Sequence, residues 1–163
     1  MPGKTLHIVR HGKALQDAYH IDDYDRPLTE KGVLNSILVA KRFISQYAVP
    51  DMITTSHAAR AMHTAHIFAR EMNYPHDCLY VDEDLYFKGT DVIYSALEDL
   101  PENINSVMIV GHNPDLTYLA NKFGAQINEI STSGVVTVCF DTDDWSKIDS
   151  ASTRCLYLDK KEC

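Results

Sequence analysis

Short runs of β-branched and apolar residues alternate along the whole chain with longer stretches whose apolar positions recur every three or four residues. The runs at residues 6–9, 52–55, 79–81, 107–110, 135–140 and 155–158 have the length and composition of strands. Between them, Leu34, Ile37, Leu38, Lys41 and Ile44 mark one helical face, with Thr29 as its N-cap ahead of Gly32. Ala61, Thr64, Ala65, Phe68 and Met72 mark a second. Val92, Ala96 and Leu100 mark a third, and Leu116, Leu119, Ala120 and Phe123 a fourth. Pro50, Pro75 and Pro101 each fall between a helix and the next strand, where proline ends one element before another begins. Strand and helix in alternation predict βαβ units, hence an α/β fold with a mostly parallel central sheet. The polar run 141–152 around Trp145 reads as a solvated connection between the last two strands, and residues 159–163 as a frayed tail.

Composition narrows this picture. A chain of 163 residues is the size of one domain, expected to span residues 1–163 with a core from about 5 to 158. A formal charge of −8 with no cluster of Lys and Arg excludes a general nucleic-acid binder, while still allowing a small positive pocket. No apolar window reaches the length of a membrane span, and residues 1–5 lack signal-peptide character. Cys78, Cys139, Cys155 and Cys163 form no Cys-x-x-Cys pair, so the chain reads as reduced and cytoplasmic.

The candidate chemistry lies at strand ends. Arg10, His11 and Gly12 follow the first strand; Ser56 and, one helical turn on, Arg60 follow the second; Gly111, His112, Asn113 and Pro114 follow the fourth. Arg-His-Gly alone is equally consistent with the start of a surface loop. In a parallel sheet, however, these three ends share one edge, where ligands bind, so two arginines and two histidines meet in one crevice. Helix N-termini aimed there add unpaired N–H groups, and Pro114 suits a first helical turn. Such donors fit a tetrahedral phosphoryl group, and a neutral imidazole is a nucleophile able to accept one. Ser56 either hydrogen-bonds the phosphate or caps the helix that follows. Lys13 and Arg26 read either as rim residues or as solvated charges. His57, His63 and His66 form a local cluster, but no carboxylate or cysteine completes a metal-ligand set.

These motifs resemble the histidine phosphatase superfamily, and within it the small bacterial phosphohistidine phosphatases of the SixA type. The resemblance rests on Arg10-His11-Gly12, on Ser56-x-x-x-Arg60-Ala61-x-x-Thr64-Ala65, and on Gly111-His112-Asn113-Pro114. The segments Asp25-Arg26-Pro27-Leu28-Thr29-Glu30-Lys31-Gly32 and Ser133-Gly134 extend it from about residue 5 to about 158. It implies a phosphoglycerate mutase-like three-layer α/β/α sandwich. It also implies a metal-free, cofactor-free reaction in which His11 takes the phosphoryl group while Arg10, Arg60 and His112 hold its oxygens, the protonation state of His112 being left open by the sequence.

One departure bears on substrate. Many members carry a carboxylate after the third strand that protonates the leaving oxygen, whereas Asp84-Leu85-Tyr86-Phe87-Lys88-Gly89 places aromatic residues there. Glu83 and Asp84 are nearby carboxylates whose reach into the crevice is open. A missing acid favours a P–N over a P–O substrate, because imidazole departs with less help than an alkoxide. The expected partner is a phosphorylated protein of the histidine phosphotransfer or phosphocarrier type, with phosphate or another tetrahedral oxyanion in the pocket. The competing readings are a broad small-molecule phosphomonoesterase and a catalytically weak phosphoprotein-binding module.

Overall fold

The computed structural model describes residues 3–16 and 20–161. Six strands form one sheet: β1 (Lys4–Arg10), β2 (Met52–Thr55), β3 (Tyr80–Val81), β4 (Ser106–Gly111), β5 (Val135–Phe140) and β6 (Thr153–Leu158). Their spatial order is β3-β2-β4-β1-β5-β6, and only β5 runs against its neighbours. Four helices cover the sheet: α1 (Glu30–Gln46), α2 (Ala59–Glu71), α3 (Thr90–Glu98) and α4 (Asp115–Lys122). The expected mostly parallel three-layer sandwich is therefore the observed one. Helices α1 and α2 lie in connections that lay strands toward the β3 edge, and both pack on one face. Helix α3 lies in the connection running back and packs on the other face with α4, as a uniform crossover hand requires.

Central β1 is buried on both faces, so its successive side chains divide between two cores. Leu6 and Ile8 join the α3/α4 core, while Val9 joins the α1/α2 core. His7 also points toward α1, edge-on to Phe43 and Tyr47, with its Nδ1 2.8 Å from Thr137 Oγ1.

Helix α1 corrects the sequence reading. Thr29 does cap it, accepting a 2.9 Å hydrogen bond from Gly32 N. The buried face, however, is Gly32, Ser36, Val39, Ala40 and Phe43, and Leu34 is 60% exposed, with Leu38, Lys41 and Ile44 also facing out. The helix carries two stripes, and the one with small residues wins because it allows close approach. A Cβ on Gly32 would lie 2.1 Å from Lys13 O, so glycine lets α1 close over the loop after β1. Gly12 serves the same contact from the other side, with a would-be Cβ 2.7 Å from Ser36 Oγ. Its φ is not in the left-handed region, so close packing rather than a sharp turn accounts for it.

Two other expectations change. The 141–152 connection is anchored rather than simply solvated: Trp145 is buried, donates its indole N–H to Ile104 O, and joins the α3/α4 core with Ile148. The expected frayed tail is tied down as far as Lys161, since Asp159 O accepts from Arg42 and Lys160 reaches Thr132 Oγ1. The remainder of that tail, residues 162–163, lies outside the described residues. Among the described residues no helix is long and apolar enough to cross a membrane.

Candidate active site

Strand β1 delivers Arg10 and His11 beside the end of β4, where His11 N donates to Gly111 O at 3.1 Å. His112 follows β4, and the two imidazole centroids are 5.1 Å apart. Arg60 enters from the first turn of α2, behind β2. The four residues line one open crevice of about 260 Å³, together with Asp23 and Phe87. The three strand ends therefore do converge.

The loop carrying His11 is held from three sides. Thr64 Oγ1 accepts from Gly12 N at 2.9 Å, Ser133 N donates to Arg10 O and His11 O, and Ser133 Oγ meets Ser36 Oγ at 2.8 Å. The His11 ring is oriented by its own turn, with Nδ1 2.7 Å from Gly12 O. A carbonyl can only accept, so Nδ1 carries the proton and Nε2 carries the lone pair. Burial, reinforced by the charges of Arg60, Arg10 and Arg26 and opposed by the Gly12 hydrogen bond, lowers the His11 pKa to about 4. The ring thus presents an unprotonated Nε2 at neutral pH, the form in which an imidazole can act as a nucleophile.

Three polar nitrogens around it are buried without a hydrogen-bond partner: Arg10 Nε, Arg60 Nε and His112 Nδ1. Buried donors normally find acceptors, so this set marks where an anion fits. His112 Nε2 faces away, 2.8 Å from Ser56 Oγ; with Ser56, which accepts from Ala58 N, donating its O–H to Nε2, the ring proton sits on Nδ1 and is left for a ligand. Burial, with smaller contributions from His11 and Arg60, lowers the His112 pKa to about 2. The sequence left the charge of His112 open; burial accordingly favours its neutral form in the free crevice, where two arginines already supply positive charge. Ser56 is completely buried behind His112 and also accepts from Ala58 N, so it supports the histidine and the start of α2 rather than facing the crevice.

A carboxylate does stand in the crevice, from a place the sequence left unremarked. Asp23 opens a single 3-10 turn, Asp23–Asp25, and its backbone O and Oδ2 accept from Arg60 Nη1 and Nη2 at 2.6 and 3.0 Å. Tyr86 and Arg26 donate to the same carboxyl group. Partial burial works against ionisation there, but the hydrogen bonds from Tyr86, Arg60 and Arg26 override it and hold Asp23 well below the usual carboxylate range. The Asp-Tyr and Asp-Arg sequence separations, 63 and 37 residues, left no local signal beyond its place just before Asp25-Arg26-Pro27. Arg10 is likewise engaged, by Glu129 Oε1 at 2.7 Å and Ile130 O at 2.8 Å.

The other candidates separate. Glu83 and Asp84 are exposed in a 3-10 turn, and Asp84 pairs with Lys88 at 3.2 Å, facing a groove beside α3 instead. Lys13 and Arg26 both line the crevice. His57 packs between Tyr24 and Tyr86, His63 is exposed, and His66 stacks on His76 with their Nδ1 atoms 2.7 Å apart. Among the described residues no group of three or more His, Cys, Asp or Glu side chains is placed to hold a metal ion.

Known proteins share both sequence and fold with this chain. Residues 6–85 match the histidine phosphatase superfamily (branch 1). An uncharacterized protein of Picosynechococcus sp. is 35% identical over 115 residues, covering 68% of this chain and 67% of that protein. A candidate phosphohistidine phosphatase SixA from Agrobacterium tumefaciens superposes with a TM-score of 0.76 at 27% identity, over 84% of this chain and 92% of that one. The protein histidine phosphatase SixA complexed with tungstate gives 0.82 at 24% identity, over 97% and 98%. A phosphoglycerate mutase from Bacillus anthracis shares the fold, with a TM-score of 0.69 at 15% identity over 89% and 95%. The chain belongs to the histidine phosphatase superfamily, and its fold is that of the SixA structures.

Proposed function

We propose that this protein removes the phosphoryl group from phosphohistidine on a partner protein, through a covalent intermediate on His11 and without a metal ion. The observation that carries the reading is the unprotonated Nε2 of His11 facing a crevice with three unpartnered buried nitrogens. In the first step the Nε2 lone pair forms a new P–N bond as the substrate P–N bond breaks, its electron pair passing to the departing ring nitrogen. A substrate imidazole already protonated on its far nitrogen departs neutral, so no acid is required at the scissile atom. Arg10, Arg60 and His112 Nδ1 hold the three equatorial oxygens, which is the main electrostatic task in phosphoryl transfer. In the second step water attacks phosphorus, the bond to Nε2 breaks, its pair returns to His11, and the water proton leaves with inorganic phosphate.

The substrate class is supported by what surrounds the crevice. Glu83 and Asp84 lie apart from it, and Asp23 is held ionised, which suits a leaving group that brings its own proton. The mouth is open enough for a side chain on another protein, such as a phosphotransfer or phosphocarrier domain. The SixA structure bound to tungstate shows that a protein of this fold accepts a tetrahedral oxyanion, and the same chemistry is proposed here. Unpaired Cys78, Cys139 and Cys155 fit a reducing cytoplasm.

Rapid quench and mass spectrometry of wild type and His11→Ala, mixed with a phosphohistidine-bearing protein, test this. Wild type should strip the substrate and pass through an alkaline-stable phosphoryl group on His11, and the variant should do neither. Turnover of aliphatic phosphate esters with an untouched phosphohistidine protein would favour a phosphomonoesterase instead. Equal binding of the phosphoprotein by both forms without turnover would leave a binding module.

A further inference from the structure

After β3 this chain places two aromatic residues, Tyr86 and Phe87, beside the crevice, and the geometry of their rings bears on what enters it. Phe87 lines the crevice with His11 and Arg60, yet it is 47% exposed, at the mouth rather than in the core. Its backbone has φ 57°, a left-handed conformation that a bulky residue adopts only at a cost. Such strain, held by the surrounding structure, is characteristic of a functional position. The ring rests on His112 at 4.8 Å between centroids, tilted by 34°. Tyr86 packs against it at 4.7 Å, His57 against Tyr86 at 5.2 Å, and Tyr24 against His57 at 6.1 Å. Phe87 thus forms part of one wall of the crevice, backed by a file of rings that runs through Tyr86 and His57 to the exposed Tyr24.

We infer that Phe87, braced by Tyr86 and His57, is a specificity determinant that stacks on the flat ring of the leaving group as it enters the crevice. The inference rests on the phosphohistidine reading and adds the means by which the ring is recognised. A phosphoimidazole protonated on its far nitrogen is planar and cationic, and an aromatic face attracts such a ring by dispersion and by its quadrupole. Ionised Asp23, at the same mouth and hydrogen-bonded by Tyr86, adds attraction for the positive charge. A leaving group without a ring gains nothing from this wall.

The test compares kcat/KM on N-phosphoimidazole with that on ammonium phosphoramidate, two P–N substrates that differ in carrying a ring. Their ratio cancels any general damage to the phosphate site. In Phe87→Ala the ratio should fall roughly threefold to tenfold. Phe87→Tyr should restore it, whereas Phe87→Leu, which keeps apolar bulk against His112, should not. A ratio unchanged in Phe87→Ala, or retained in Phe87→Leu, would overturn the stacking role while leaving the phosphatase reading intact. If wild type cleaves neither P–N compound, the substrate class itself fails. The wall is then judged by inhibition with phenyl phosphate against methyl phosphate, where a preference for phenyl lost in Phe87→Ala sustains it and equal inhibition sinks it.

Discussion

The proposed role of His11 rests on two local facts, a carbonyl that fixes its tautomer and a setting that keeps it unprotonated. Burial acts first and the nearby arginines act in the same direction, so its pKa falls to about 4. An NMR titration of the ring carbons should give a midpoint near that value. Arg60→Gln removes the foremost charge and should move the midpoint upward. A midpoint that stays in place would mean that burial alone sets the ionisation. His11, Arg10, Arg60 and His112 were legible because each follows a strand end or opens the next helix, where residue type and chain position suffice to suggest chemistry. Asp23 was not legible, because a carboxylate in a loop looks like any solvated charge until a buried guanidinium 37 residues away turns out to be its partner.

Among the elements, the 3-10 turn Asp23–Asp25 has the most direct bearing on the crevice. Its first residue occupies both Nη atoms of Arg60, and an incoming phosphoryl group must compete with that carboxylate for the same cation. Asp23→Asn removes the charge and keeps the shape, so tungstate or phosphate should bind roughly threefold to tenfold more tightly by calorimetry, the scale expected for one partly solvated charge contact. An unchanged dissociation constant would show that the turn does not compete. Helix α1 illustrates the limit of periodicity as a guide to an element's orientation. Leu34, Leu38 and Ile44 mark a stripe that faces out, and Gly32, Ser36, Val39, Ala40 and Phe43 mark the one that faces in. Hydrophobicity favours the first stripe; close packing on the loop after β1 favours the second. Helix existence and its Thr29 cap depend on local spacing and were readable, while the choice of face depends on what the helix meets.

For the whole molecule, three histidines held neutral make the fold sensitive to acid. Folded His7 protonates near 4 because burial disfavours its charged form, whereas an unfolded histidine protonates near 6.5. Between those values the unfolded chain binds more protons, so stability is full above about pH 6.5 and declines as pH falls toward 4. His11 and His112 contribute in the same direction. His7→Gln keeps a polar partner for Thr137 without a titrating group. In urea denaturation it should reduce the slope of stability against pH, between about 4.5 and 6, by up to about 1.4 kcal/mol per pH unit. Coincident slopes for wild type and variant would remove His7 from the acid response.

Spacing and residue type along the chain were enough to specify an α/β fold with a mostly parallel sheet, its strands, its four helices, and the arginines and histidines that meet in one crevice. These follow from short-range rules: side-chain period, caps, and what lies at a strand's end. Tertiary structure alone decided the order β3-β2-β4-β1-β5-β6, the inward face of α1, the burial of Trp145, the neutrality of His112 and the seat of Asp23 on Arg60. Each of these depends on the dielectric, charge or shape supplied by residues distant in the chain, and such quantities take a value only after the segments have packed together.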